Sequence, residues 1–449
     1  MNQQQMKDFS SQVLERSQEL GADGGDVVGR SGRSFSVSVQ RGEIDKYKVS
    51  SSAIIGLRVI KNQRVGLAYT ESFDRDSLRR VAQQAVENAQ YAAVDEHQNI
   101  EEVEPKELLE SNKDIYQEDH TPLDDKLSLA IQMEQKLLQS DKRVASSPYN
   151  GYSDGEVEAI YLNHLGNYRF HRERSFYCYV SALTRDGDKQ AMYGYSINAR
   201  RFAELDPNVC VEQTLNYALP LLSAMPIPTG RYDVIFETDE LEQILGSFLS
   251  TFSAKDVLDG RSGLRGKLGE KIATEGLTLR DEPQFTQGFY YSQFDDEGLL
   301  RQPLVLIENG VLKSFLHNTA TAKQMNTVST AHGSRSAKSS LGISATQPVI
   351  SVGTDADDEV LARDHLRIIS LKGLHSGTNP VSGHFSLALE GVLYKGGKVH
   401  QYVKDVTISG NFYELLQKID KVGDRLHANA TGSFFSPYIL FRQLSIAGS

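Results

Sequence analysis

The sequence predicts an α+β fold: an N-terminal antiparallel sheet with helices, followed by a C-terminal domain that is β-rich and curled or barrel-like. Residues 34–42 alternate apolar and polar side chains, as a half-buried strand does, and residues 74–93 repeat apolar side chains at helical spacing. From residue 275 onward short strands and turns dominate. A closed or strongly curled sheet is the simplest way to hide so many strand edges.

Length and charge limit the class of protein before any motif is considered. With 449 residues the chain can form two domains. Its net charge of −11 argues against a general grip on nucleic acid, because phosphate binding needs clustered lysine and arginine. Residues 1–20 lack the pattern of a signal peptide, and no later stretch approaches the length of a membrane span. We therefore expect a cytoplasmic protein that binds neither nucleic acid nor membrane.

The first domain is predicted from periodicity and turn residues. Its elements are a helix over 6–20, three or four antiparallel strands over 34–70, a helix over 74–93, a solvated acidic connection over 94–121 that includes Glu110, a helix over 122–140, a meander of strands over 155–201 and a helix over 211–224. Turns are predicted at Asn150-Gly151, Asp154-Gly155, Gly166-Asn167 and Asp186-Gly187. The prolines of MPIPTG place a boundary near residue 225, which predicts domains over 1–225 and 226–449.

The second domain opens with a strand from Arg231 that leads into a helix with Thr238 as its N-cap. Leu241, Ile244, Leu245, Phe248 and Phe252 share one face of that helix, which predicts burial of this face. A glycine-rich loop with three basic residues, Arg261, Arg265 and Lys267, follows. Later elements include a mobile loop over 326–346, rich in Ser, Thr, Gly and Ala, and helices over 357–364 and 412–422.

An ordered set of motifs resembles the TldD/TldE (PmbA) metallopeptidases along nearly the whole chain. The motifs are FDDEG at 294–298, LIENGVLKSFLHNTATAK at 306–323, SGTNPVSGHFSLALEGVLYKGGKV at 376–399, VTISGN at 406–411, KVGDRL at 421–426 and LSIAG at 444–448. In the TldD branch the helix after residue 238 carries HExxxH, whose histidines bind zinc. Counted back from the shared Leu268-Gly269, its two histidines and its glutamate correspond here to Leu245, Ser250 and Gly246, respectively.

The resemblance therefore implies the TldE/PmbA branch, which pairs with a TldD-like subunit. Zinc needs imidazole, thiolate or carboxylate ligands, so we expect no catalytic residue and no metal ligand in this chain. The cysteine that completes the TldD site also has no counterpart near the C-terminal end. Zinc is expected in the TldD-like partner, the implied substrates are unfolded or precursor peptides, and a homodimer is expected for the isolated chain.

The resemblance also implies candidate contact residues. The motif at 376–399 faces the peptide groove in the family, which makes Asn379, Gly383, His384 and Ser386 the candidates for substrate contact. The family usually has aspartate where His384 stands. The three basic residues of the glycine-rich loop are candidates for steering acidic peptide or docking the partner, with an exposed, solubilising loop as the alternative.

Two other functions stay open. One is a stand-alone homodimeric peptidase whose metal ligands come from loops such as those of His375 and His384. The other is a non-enzymatic scaffold that binds peptides.

Other residues suggest chemistry only weakly. The run 295–297, Asp-Asp-Glu before a glycine, is interpreted as a hairpin turn rather than an acid/base cluster. Ser250 lacks the GxSxG context of a nucleophile, and the glycines of 260–269 lack the GK[ST] ending of a phosphate loop. Cys178 and Cys210 could form one disulfide at most and are interpreted as buried thiols.

Overall fold

Helices and strands of this chain are described in a computed structural model over residues 2–109 and 114–448. The helices are α1 Gln3–Glu19, α2 Arg75–Tyr91, α3 Leu123–Ser140, α4 Pro207–Ala218, α5 Thr238–Phe248, α6 Ala254–Leu258, α7 Thr319–Gln324, α8 Asp357–Leu361, α9 Leu374–Gly377 and α10 Phe412–Leu415. Short 3-10 turns lie at Phe202–Glu204, Pro220–Ser223 and Leu249–Phe252.

The strands make three sheets and a small hairpin. They are β1 Gly24–Gln40, β2 Glu43–Lys61, β3 Arg64–Thr70, β4 Glu107–Leu109, β5 Val144–Ser146, β6 Asn150–Asn163, β7 Tyr168–Asp186, β8 Lys189–Ala199, β9 Gly230–Phe236, β10 Leu279–Asp281, β11 Leu304–Glu308, β12 Val311–Leu312, β13 Gly333–Ser334, β14 Gly342–Ile343, β15 Pro348–Ile350, β16 His365–Lys372, β17 His384–Lys395, β18 Lys398–Asn411, β19 Ile419–Val422, β20 His427–Ala428, β21 Phe435–Ser436 and β22 Ile439–Ala447.

The first sheet has the order β3-β2-β1-β6-β7, and β4, β5 and β8 also pair with β7. Its long strands are antiparallel and curl, and two helix pairs cover them. Helices α1 and α2 pack over side chains such as Val27 and Leu57, while α3 and α4 pack over Val37 and Tyr152. Strand β8 pairs only with β7 among the described strands, so one of its edges lacks a neighbouring strand.

The second large unit is a closed barrel of five strands in the order β18-β17-β16-β9-β22, which is completed by pairing of β22 with β18. Helix α5 follows β9 and packs its apolar face into the largest core. The α+β class with a curled and barrel-like β-rich part is thereby confirmed. The sheets of the first unit end at Ala199 and those of the second begin at Gly230, while the boundary near 225 stays a prediction.

Several predicted strand limits are wrong because long-range pairing overrides local turn signals. Strand β1 begins at Gly24, ten residues before the predicted Ser34, and pairs with β2 along its whole length. The predicted turns at Asn150-Gly151 and Asp154-Gly155 lie inside β6, which is paired on both sides with β1 and β7. Gly151 fits there because a Cβ would stand only 2.4 Å from the Val37 carbonyl oxygen. The turns at Gly166 and Gly187 are confirmed by their positive φ angles.

Predicted helix limits also need correction. The N-cap of α5 is Glu237 rather than Thr238, which is the first helical residue. The helix predicted over 357–364 ends at Leu361, and the helix predicted over 412–422 is one turn followed by strand β19. In both places the chain leaves the helix early and leads into a strand, β16 from His365 and β19 from Ile419.

The segment 326–346 is not a mobile loop, since it holds strands β13 and β14 and buries His332 and Arg335. The acidic connection 94–121 is exposed in part, but Ile100 and Ile115 are buried; Glu110 lies outside the described residues. Composition indicated a solvated connection in one segment and a mobile loop in the other, whereas buried side chains pack each one against the rest of the fold.

The two cysteines are buried free thiols, as predicted. The Sγ atoms of Cys178 on β7 and Cys210 on α4 lie 3.7 Å apart in the core between the first sheet and helices α3 and α4. No helix in the described ranges is both long and apolar enough to cross a membrane.

Candidate functional site

Helix α5 organises the candidate site because its faces meet three different surroundings. One face carries Leu241, Ile244 and Phe248 into the core, where the Phe248 ring stacks on Phe412 at 4.6 Å between centroids. Burial of such a side chain contributes about 1.5–3 kcal/mol, which anchors the helix. The predicted apolar face is confirmed, and Phe252 extends it through the following 3-10 turn.

The second face of α5 forms one wall of a cleft of about 410 Å³, here called the outer cleft. The cleft is lined by Glu242, Leu245, Gly246, Leu249 and Ser250 of this helix and its 3-10 turn, and by residues of the segments 343–348 and 433–434. All three positions that correspond to the zinc motif therefore lie together in one cleft. Their side chains are an aliphatic group, a hydrogen atom and a hydroxyl.

The outer cleft does not offer a ligand set for zinc. A zinc site needs three or four imidazole, thiolate or carboxylate ligands, and of the described residues that line the cleft Glu242 alone carries such a group. In the described ranges, no three His, Cys, Asp or Glu side chains come close enough together to hold an ion. His375 and His384 are both exposed and do not line this cleft.

The third face of α5 borders a larger cavity of about 670 Å³ between the first sheet and the barrel, here called the chamber. Asp239, Glu240 and Gln243 lie on the α5 side. On the opposite side every residue from 190 to 196 of β8 lines the chamber. Successive side chains of a strand point to opposite faces, so an unbroken run means that the edge of β8 borders the cavity.

Glu240 is the most perturbed carboxyl group beside the chamber. Burial raises its pKa to about 8, and the nearby charge of Asp239 acts in the same direction. Its Oε2 accepts a hydrogen bond of 2.8 Å from the backbone N–H of Leu371, which ties the start of α5 to β16. Burial also raises the pKa of Asp239.

The four groove candidates lie away from the outer cleft, on the turn that leads into β17 and on its first residues. Asn379 shapes this turn, because its Oδ1 accepts from the backbone N–H groups of Val381 and Ser382. Gly383 has a φ of +79°, and a Cβ there would meet the Tyr413 ring at 2.7 Å. His384 and Ser386 are exposed, so both are accessible to a ligand.

Tyr413 joins this turn to the glycine-rich loop. Its hydroxyl accepts a hydrogen bond of 2.9 Å from the N–H of Gly263 and donates one of 3.3 Å to the carbonyl of Pro380. The two groups of sequence candidates, the groove residues and the basic residues, are therefore brought together by a tyrosine that the sequence analysis did not single out. An aromatic residue after VTISGN is the only signal that could have identified it.

The three basic candidates differ in their surroundings. Arg261 forms ion pairs with Asp256 at 2.7 Å and Asp259 at 2.8 Å, so its charge is largely balanced. Arg265 and Lys267 are exposed and have no ion pair within the described part of the chain. The positive charges of these two are therefore not balanced by a described acidic side chain, while steering of a peptide stays a prediction.

The Asp-Asp-Glu run makes the predicted turn, since Asp295 Oδ1 accepts from the N–H groups of Glu297 and Leu299. The run also contributes a buried ion pair that was not predicted. Glu297 is buried with its Oε1 3.8 Å from Arg58 Nη1, and Arg58 pairs at 2.5 Å with Asp26. Arg335 pairs with the same Asp26 at 2.5 Å. Asp26, Arg58, Glu297 and Arg335 form what is here called the buried ion cluster.

Comparison with known proteins agrees with this architecture. The family models for domain 1, the central domain and the C-terminal domain of PmbA/TldA metallopeptidases match residues 25–89, 116–222 and 229–448. The Metalloprotease PmbA of Escherichia coli is 23% identical over 434 residues, which cover 95% of this chain and 93% of that protein.

Solved structures show the same fold over the whole length. The crystal structure of TldE from Thermococcus kodakarensis matches with a TM-score of 0.83 at 25% identity, covering 99% of this chain and 100% of that one. A Thermotoga maritima protein assigned as a modulator of a DNA gyrase matches with a TM-score of 0.85 at 25% identity, covering 98% and 100%.

Proposed function

This chain belongs to the PmbA/TldD metallopeptidase family, and from that premise we propose that it is a TldE/PmbA-type subunit without a zinc site of its own. It pairs with a TldD-like chain, which supplies the metal and the hydrolysis, and it acts with that chain on unfolded or precursor peptides. One observation carries the proposal: Leu245, Gly246 and Ser250 line the outer cleft where a metal-binding relative would place its ligands.

The chain contributes a binding surface for extended polypeptide. The edge of β8 that faces the chamber offers backbone N–H and C=O groups to which a peptide can add as a further strand. Backbone pairing is independent of sequence, which suits a protein that receives varied unfolded chains. Tyr193 and Tyr195 of β8 add aromatic surface beside this edge.

Co-expression with a TldD-like chain tests the subunit role. We expect the two chains to co-elute with the mass of a hetero-oligomer on size-exclusion chromatography, and the complex to cleave casein. This chain alone should neither cleave casein nor carry stoichiometric zinc. The matched control is the same complex with the HExxxH glutamate of the partner changed to glutamine, which should assemble without cleaving. Absence of association, or EDTA-sensitive cleavage by this chain alone, contradicts the proposal.

Hydrogen exchange tests the binding edge. When unfolded casein is added to a complex with the inactive partner, the amides of β8 should gain protection, because added strand pairing removes them from water. Strand β3 lies at the opposite edge of the same sheet and is the internal control, with unchanged exchange expected. Equal protection of both edges, or of neither, argues against peptide addition at β8.

A further inference from the structure

Among the described residues that line the outer cleft, Glu242 is the only one with a charged side chain. It is half-buried, and no described residue forms a hydrogen bond or an ion pair with its carboxylate. Burial raises the pKa of Glu242, with a smaller contribution from the charge of Asp239. A carboxylate that is removed from water without a partner is costly, and a cation in the cleft would offset that cost.

The position of this carboxylate is set by the glycine one turn further along the helix. Its Oε1 lies 3.6 Å from the place that a Cβ on residue 246 would occupy, and, apart from the two adjacent residues and the backbone of the helix itself, no other described atom lies within 4 Å of that place. Because residue 246 is a glycine, the Glu242 carboxylate stays accessible from the cleft. A larger side chain at 246 would stand between Glu242 and an entering group.

The rest of the wall suits the remainder of a long basic side chain. Leu245, Leu249 and Leu316 provide apolar surface against which methylene groups can pack. The hydroxyls of Ser250 and Ser344 also face the cleft, and neither is hydrogen-bonded within the described part of the chain. One carboxylate with a few hydroxyls is too small a set for Ca²⁺ or Mg²⁺, but it matches the donors of an ammonium or guanidinium group.

We propose that the outer cleft is a subsite for one positively charged side chain, lysine or arginine, of the polypeptide that this chain receives. The inference rests on the proposed function for the arrival of extended polypeptide. It adds a sequence preference that strand pairing alone does not provide, because a segment with a basic residue would bind more tightly. The cleft lined by the positions that correspond to the zinc motif would here hold a cation that belongs to the substrate.

Fluorescence anisotropy with two labelled peptides of about twelve residues tests the subsite; they are unstructured and differ only in a central lysine or norleucine. Norleucine keeps the methylenes and removes the ammonium group. The full chain should bind the lysine peptide about tenfold more tightly, as a charge-assisted contact in a partly buried site allows. Glu242→Gln should abolish the preference with norleucine binding kept within about twofold. Glu212→Gln, an exposed carboxylate on α4, is the matched control and should retain it.

Charge reversal provides an independent arm. Glu242→Lys should bind a peptide with a central glutamate more tightly than the lysine peptide, while circular dichroism verifies that the variant is folded. Equal binding of lysine and norleucine peptides by the unaltered chain, retention of the preference in Glu242→Gln, or no peptide binding at all would overturn the inference. None of these results affects co-elution with a TldD-like chain, so the subsite and the subunit role fail separately.

Discussion

The buried surroundings of Glu240 favour the protonated form of its carboxyl group at neutral pH. Its folded-state pKa of about 8 lies above the ordinary value of 4.5, because burial penalises the charge. The folded protein therefore binds this proton more tightly than the unfolded chain does. The contribution to stability is present at low pH and is lost as the pH rises towards 8.

Glu240→Gln should remove this pH dependence. Glutamine stays neutral, and its amide oxygen can still accept from the Leu371 N–H. Between pH 6 and pH 9 the unaltered protein should lose roughly 2 kcal/mol of unfolding free energy relative to this variant, as measured by urea denaturation. Glu212→Gln should follow the unaltered protein throughout. Parallel curves for Glu240→Gln and the unaltered protein would show that the carboxyl group titrates normally.

At the scale of elements, the Tyr413 side chain connects the glycine-rich loop to the turn before β17. Tyr413→Phe removes the hydroxyl that joins the glycine-rich loop to the turn before β17, at little change in volume. We expect the loop to open more often, which exposes the bonds after Arg265 and Lys267 to trypsin. Limited proteolysis followed by mass spectrometry should show cleavage there several-fold faster than in the unaltered chain. Tyr91→Phe, at an exposed tyrosine, is the control; equal rates in all three proteins contradict the prediction.

Helix α5 shows what periodicity can and cannot predict. Its apolar face was predicted, because Leu241, Ile244 and Phe248 recur at helical spacing and must be buried. The different surroundings of Glu240 and Glu242 could not be predicted, because the spacing of polar residues on a helix does not indicate which cavity each one lines. The groove and basic residues were singled out, but their connection through Tyr413 depends on a contact 150 residues away in sequence.

At the scale of the whole molecule, the buried ion cluster joins the first sheet to the part of the chain between barrel strands β9 and β16, where Glu297 and Arg335 lie. Arg335 and Asp26 are 309 residues apart in sequence and pair at 2.5 Å. The composition of 326–346 is typical of a mobile loop and that of 295–297 of a turn. The cluster could not be predicted, since charges give no periodic signal and their partners lie far away in the chain. The α+β class could be predicted from the sequence because hydrophobic periodicity indicates local secondary structure.

Arg335→Met should uncouple the two parts of the molecule. Removing one partner of a buried ion pair leaves Asp26 less compensated and costs about 3–5 kcal/mol. Differential scanning calorimetry should show one transition for the unaltered chain and a lower, split transition for the variant. Arg33→Met, at an exposed arginine, should stay within about 0.5 kcal/mol of the unaltered protein. An unchanged thermogram for Arg335→Met would mean that the cluster contributes little to cohesion.

Closure of the barrel by β22 sets an order of events during synthesis. Strand β9 pairs with β22 across about two hundred residues, as in Ile235 with Leu440. Until β16 is translated β9 has neither of its neighbours, and until β22 follows it has only one, so the core around Val234 and Phe236 stays incomplete. The nascent barrel therefore presents a sticky, incomplete surface until β22 clears the ribosome exit tunnel, and it is in that interval that this protein most needs a chaperone.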